Sequence, residues 1–166
     1  MNELIAKFAQ IMDEECALYE ELLQLSREKQ EAVTEQSLSK LDHIVREEQM
    51  RLAKQQGLEK RRVACVSELS KLTGQPVGDI TMLTFAEAAP PEQKGNLRAL
   101  AEKLSDTLNH LKKNNDINSR MLESRLEYIQ CMLSSASAMQ ESGVYTPKGT
   151  ESPQAGKAAK LYDKKV

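Results

Sequence analysis

From Leu4 onward, large apolar residues recur in alternating steps of four and three through Phe8, Ile11, Leu18, Leu22 and Leu25, with Ile5, Met12 and Tyr19 in a flanking row seven apart. An α-helix gains a turn every 3.6 residues, so this spacing gathers the side chains on one stripe, whereas a half-buried strand would need alternation at two. The near-heptad step is that of a coiled-coil seam, and such a stripe has to be buried against a partner. The repeat returns in Leu38, Leu41, Val45, Leu52, Val66 and Leu69, and again in Leu97, Leu100, Leu104, Leu108, Leu111, Leu122, Ile129, Met132 and Ala136. Three such stretches in 166 residues with no other internal repeat predict an all-α fold: an elongated antiparallel bundle of three long, coiled-coil-like helices.

The punctuation between the stretches sets their limits. The pattern weakens at Ala32-Val33-Thr34, and the polar run Thr34-Glu35-Gln36-Ser37 offers Thr34 or Ser37 as an N-cap for the second helix. Gly74 followed by Pro76 stands where a C-cap and a stop belong, and Pro91 suits the first position of a helix. The helices are therefore expected over residues 3–33, 37–72 and 91–141. In the connection over 74–91, Thr84-Phe85-Ala86-Glu87 fits the spacing of a capping box and predicts a short extra helical turn. The bundle is expected to fill residues 1–142. Residues 143–166 turn to Gly143, Pro147, Gly149, Pro153 and Gly156, with five lysines and two acids, which predicts a flexible basic tail. Its end, Leu161-Tyr162-Asp163-Lys164-Lys165-Val166, concentrates large apolar residues and reads either as a docking motif or as a solubilised terminus.

Hydrophobic residues make up 40% of the chain but aromatics only 4%, and there is no Trp, a composition suited to a thin bundle. A formal net charge of -2 with both signs interspersed leaves no broad basic surface for phosphates, so nucleic acid is not expected as a partner. No stretch has the length and apolarity of a signal peptide or a spanning helix, which predicts a cytoplasmic protein without membrane insertion. Cys16, Cys65 and Cys131 all fall in helical stretches without a CxxC pair and read as reduced, half-buried thiols.

Folding the helices back at residues 34–36 and near Leu83 places Glu15 opposite Gln55 and Gln55 opposite Leu111, with Glu59, Asn114, Asn115 and Asn118 nearby. A polar belt at mid-height is expected, serving either register or function. The same register holds Cys16 and Cys65 about 11 residues apart, roughly 16 Å, too far for a disulfide. Because the third helix is longer than the second, its end beyond about Ile129 is expected to project, carrying Leu126, Ile129, Met132, Leu133 and Met139, with Val144 and Tyr145 following. Uncovered apolar surface of this kind marks a partner site, and methionines adapt to varied partners. The tail, the projecting helix of a second copy, or another protein would each cover it.

No catalytic, cofactor-binding or metal-binding set emerges. GxxxxGK[ST], GxGxxG, HExxH and GxSxG are absent, and Lys40 and Thr107 stand where a di-iron bundle would need glutamates three before His43 and His110. Glu14, Glu15, Glu47 and Glu48 read as a solvated face paired with Lys and Arg.

The segment Tyr19-x-x-Leu22-Leu23-x-Leu25-Ser26-x-Glu28-Lys29-Gln30 resembles the first helix of FlgN-type flagellar export chaperones. Glu47-Glu48-Gln49, Glu59-Lys60-Arg61-Arg62, the asparagines Asn114, Asn115 and Asn118, then Tyr145 with Gly149 and the ending Tyr162-Asp163-Lys164-Lys165-Val166 follow in the family's order. The resemblance implies a cytoplasmic, ATP-independent chaperone, not an enzyme. Such a protein holds the helical termini of hook-associated (hook-filament junction) proteins, keeps them from associating early and presents them to the type III export gate. The expected client-binding set is Leu126, Ile129, Met132, Leu133, Met139, Val144 and Tyr145, with Leu161, Tyr162 and Val166 at the terminus. A coiled-coil assembly protein that completes a homo-oligomer through the projecting helix, or a regulatory adaptor, is the competing reading.

Overall fold

The computed structural model describes residues 1–141, with side chains through residue 138. Three long helices carry the three repeats: α1 (Asn2–Thr34), α2 (Leu38–Thr73) and α4 (Pro91–Glu141). The connection between α2 and α4 holds a 3-10 turn (Val77–Asp79) and the short helix α3 (Met82–Ala88). There is no strand among the described residues, and the three long helices begin and end within a residue of the expected limits. Residues Met1–Tyr128 form one compact unit, and a second begins at Ile129. The tail expected over residues 143–166 lies outside the described residues.

The turn between α1 and α2 closes with paired backbone bonds: Ser37 N–H donates to Ala32 O at 3.0 Å, and Gln36 N–H to Val33 O at 3.3 Å. This Schellman arrangement satisfies two carbonyls at the end of α1 but needs a left-handed residue, and Gln36 takes that role at φ +59°. A left-handed Cβ costs roughly 1–2 kcal/mol, so Gln36→Gly is expected to raise stability by about 0.5–1 kcal/mol after the entropy that glycine adds to the unfolded chain, measurable in urea titrations. Gly74, at φ +72°, closes α2 in the same left-handed conformation.

The α3 N-cap lies three residues earlier than expected. Thr81 Oγ1 accepts from Thr84 N–H at 3.3 Å while Thr84 Oγ1 accepts from Thr81 N–H at 3.1 Å, so Thr84 closes the box instead of opening it. That start allows Phe85 to point inward. Its ring is fully buried and stacks on Phe8 with centroids 3.6 Å apart and planes within 3°.

In the first unit α1 is the central element, antiparallel to α2 and parallel to α4. Cys16 Sγ donates to Leu100 O at 3.7 Å, Lys103 pairs with Glu20 at 2.9 Å, and Asn115 and Asn118 both bond at Ser26. The main core gathers Leu4, Ile5, Phe8, Ile11, Met12 and Cys16 of α1 with Cys65, Val66 and Leu69 of α2, Ile80, Phe85 of α3, and Leu97 and Leu100 of α4. A smaller cluster of Leu25, Ala32 and Ile44, with Leu41 against it, closes the opposite end beside the α1–α2 turn.

Between these clusters Leu18 and Leu22 of α1 and Leu58 of α2 are buried, and ion pairs also join the two helices. Lys29 pairs with Glu48, Arg51 with Glu21 and Arg61 with Glu14. Two sequence expectations change as a result. The α2 row that faces α1 is Leu41, Ile44, Leu58, Cys65 and Leu69, leaving Leu38, Val45 and Leu52 exposed although they follow a heptad step. Glu15 is buried instead of standing on a solvated face. Cys16 and Cys65 are buried free thiols in one core, whereas Cys131 is exposed, against the half-buried environment expected of all three.

Candidate partner-binding surface

The α4 residues that face the core keep the seam's spacing, with Leu97, Leu100, Thr107 and Asn118 buried and Leu104, Leu111 and Leu122 half-buried. The sequence offset between bonded α1 and α4 residues grows from 84 at Cys16–Leu100 to 92 at Ser26–Asn118, which sets the end of α1 at Thr34 level with residues 118–126. Every α4 side chain from Leu126 to residue 138 is exposed. Leu126, Ile129, Met132 and Leu133 are each more than half exposed.

Of the residues expected to bind a partner, these four are therefore accessible. Met139 lies within α4 but its side chain is outside the described residues, as are Val144, Tyr145, Leu161, Tyr162 and Val166 altogether. Tyr128, 60% exposed, was missing from the expected set. Its position four before Met132 puts it on a neighbouring row of the same helix, a signal the sequence did contain.

The expected polar belt resolves into two separate clusters. In the lower one Glu15 faces Arg62, with Oε1 3.8 Å from Nε, while Arg62 forms a bidentate pair with Glu59 at 2.7–2.9 Å and Tyr19 sits beside Gln55. Gln55 thus meets Tyr19 instead of Glu15, because α2 is displaced by about a turn from the expected register. In the upper cluster Ser26 Oγ donates to Asn115 Oδ1 at 3.0 Å, and Asn118 Nδ2 donates to Ser26 O at 2.8 Å and to Ser26 Oγ at 3.1 Å. Ser26 is 11 residues, roughly 16 Å, from Glu15 along α1, so Asn115 and Asn118 belong to a different level from Glu15.

Burial pushes the Glu15 carboxyl above the usual carboxylate range. The Arg62 charge opposes this and the Glu59 charge adds to it. A raised folded-state value means that the folded protein holds this proton more tightly, so the contribution is complete below the unfolded value and is lost as pH rises through the folded one. Glu15→Gln is therefore expected to stabilise the bundle at pH 7 by roughly 1 kcal/mol, with the advantage shrinking toward pH 4, in parallel urea titrations at the two pH values.

Each cluster lines its own pocket beside α1. The lower, about 280 Å³, is bounded by Phe8, Met12, Glu15 and Tyr19, by Arg62 and Val66 of α2, by Met82, and by Leu104 and Leu108 of α4. The upper, about 270 Å³, shares only Tyr19 with it and is bounded by Leu22, by Glu48 and Leu52 of α2, and by Leu111, Asn115, Asn118 and Leu122 of α4. Among the described residues no three His, Cys, Asp or Glu side chains gather in a way that could hold a metal ion, and no helix is long and apolar enough to cross a membrane.

Searches of the curated proteins and of the solved structures returned no significant match. A match to a protein family does exist, and it covers α1 and α2 and all of α4. The profile described as FlgN protein matches residues 1–153, nearly the whole chain, and the protein belongs to the FlgN family of flagellar export chaperones.

Proposed function

We propose that this chain binds the helical termini of hook-associated proteins in the cytoplasm, prevents their premature association and delivers them to the flagellar type III export apparatus. The observation that carries the reading is the run Leu126, Ile129, Met132 and Leu133, uncovered on α4 in a member of a chaperone family. An apolar stripe on a helix is met most economically by the apolar stripe of another helix, and Met132 adds a side chain that can repack against different clients. Met139, Val144 and Tyr145 would extend the contact, and Leu161, Tyr162 and Val166 would add to it.

The test is titration of the full chain with the C-terminal helical segments of hook-associated proteins, with and without residues 143–166. A one-to-one complex is expected, weakened by the truncation. The double substitution Ile129→Ala/Met132→Ala is expected to weaken it at least about tenfold, because central apolar anchors carry most of the energy of such contacts. A chain that binds none of these segments and forms a stable dimer through α4 would instead be a coiled-coil assembly protein.

A further inference from the structure

We infer that the outer face shared by α1 and α2 is a self-association surface. A second copy of this chain docks on it about a two-fold axis parallel to the helices, setting the acidic stretch of each α1 on the basic stretch of the other copy's α2.

Between Lys7 and Arg27, α1 carries five acids, Asp13, Glu14, Glu15, Glu20 and Glu21, and no cation. Over residues 51–62, α2 carries five cations, Arg51, Lys54, Lys60, Arg61 and Arg62, and one acid, Glu59. The Glu21–Arg51 and Glu14–Arg61 pairs hold the two stretches at one level. Pairing within the chain does not use these charges up. Asp13, Lys54 and Lys60 are exposed and enter no ion pair among the described residues, and the Glu21 side chain stays 50% exposed beside Arg51.

The surface between the two stretches is hollow. Ala17 and Leu18 of α1 with Gly57 and Leu58 of α2 line a depression of about 480 Å³, rimmed by charges of both helices. Gly57 stands inside α2, where glycine is a poor helix former, and a Cβ added there would meet nothing within 4 Å. Packing within the chain therefore gives no reason for a glycine at this position. A helix crossing over Gly57 does, because the missing side chain lets its backbone come close.

Since α1 and α2 are antiparallel and level, a two-fold axis running along them lays α1 of the second copy across α2, and α2 of the second copy across α1. Ala17 of the second copy then comes over Gly57, Glu21 beside Lys54 and Asp13 beside Lys60, and each contact occurs twice. A two-fold axis across the helices would set acid on acid and base on base. About 20 residues of each helix, roughly 30 Å by 20 Å of surface, give about 1,200 Å² over both copies, the lower end for a specific interface.

Sedimentation equilibrium of the full chain at low salt is expected to show a dimer that dissociates as salt rises, because exposed charges carry much of the contact. Lys54→Glu/Lys60→Glu and Asp13→Lys/Glu21→Lys are each expected to weaken self-association at least about tenfold. An equimolar mixture of the two variants is expected to recover a dimer with one copy of each, since the reversed stretches complement one another. Thermal unfolding verifies that both variants fold. Gly57→Leu is expected to raise the urea midpoint, as a better helix former in open space, and yet to weaken self-association at least about tenfold. Should a charge variant fail to fold, Gly57→Leu carries the test alone. A parent that stays monomeric at every concentration would overturn the inference. So would a mixture of folded variants that recovers no dimer, or a dimer that Ile129→Ala/Met132→Ala abolishes while the α1 and α2 variants keep it. None of these readouts requires a client segment, so they are independent of the chaperone reading.

Discussion

Replacing Phe85 with alanine is expected to cost about 3–5 kcal/mol, the largest loss of any single substitution proposed for this chain. Phe85 is fully buried and stacks face to face on Phe8, and it is the residue by which α3 closes the main core over α1, α2 and α4. Alanine removes the transfer free energy of a whole ring and leaves a cavity that the stiff helices around it cannot fill. Small domains have only about 5–15 kcal/mol in total, so the variant is expected to unfold at a much lower urea midpoint, with an unchanged slope if the loss lies in packing alone. Phe85→Leu keeps most of the volume and is expected to recover more than half of the loss. A Phe85→Ala chain with a midpoint near the parent's would show that α3 is a detachable cover and not part of the core.

The position of Phe85 illustrates what the sequence disclosed. The sequence predicts a helical turn between Gly74 and Pro91 with Phe85 inside it, but its capping pattern puts the N-cap at Thr84 instead of Thr81. Thr81 and Thr84 satisfy each other's backbone groups, and a Thr-x-x-Thr box is weaker as a pattern than Thr-x-x-Glu. The long helices were legible because their limits rest on steric rules: Gly74 in a left-handed cap, Pro91 at a helix start, and apolar spacing that only a helix reconciles. The face that α2 turns to α1 was not legible. Adjacent near-heptad rows on α2 compete: Leu38, Val45 and Leu52 stay exposed while Leu41, Ile44, Leu58 and Leu69 turn to α1, and Glu48, Arg51 and Arg62 add ion pairs to that contact. Charged residues on a helix look alike in sequence whether they face water or a partner helix. Burial of Glu15 escaped for the same reason. Exposure along the end of α4, by contrast, followed from arithmetic on helix lengths, 51 residues against 33 and 36, and needed no knowledge of side-chain chemistry.

Asn118→Ala is expected to destabilise the bundle by roughly 2–3 kcal/mol, whereas Asn118→Leu is expected to stay within about 1 kcal/mol of the parent. The difference separates two roles of the same side chain. Asn118 fills volume in the seam between α1 and α4, and its amide nitrogen donates to the backbone and side-chain oxygens of Ser26. Alanine removes both volume and donor. Leucine restores the volume, eliminates the unpartnered Oδ1, and leaves Ser26 Oγ bonded to Asn115. If the amide serves mainly to fix which residue of α4 stands beside Ser26, the leucine variant should be as stable as the parent but less uniquely ordered, since apolar seams tolerate slippage that a polar pair forbids. Hydrogen exchange would register this as faster exchange around residues 111–125 at unchanged global stability. A double-mutant cycle between Ser26→Ala and Asn118→Ala is expected to give a coupling of at least about 0.5 kcal/mol, while Ser26→Ala and Glu15→Gln, about 16 Å apart along α1, should add independently. Additivity at Ser26 and Asn118 would mean that the bond contributes packing alone, and α1 would then take its register on α4 from the leucine rows and the core around Leu97 and Leu100 instead.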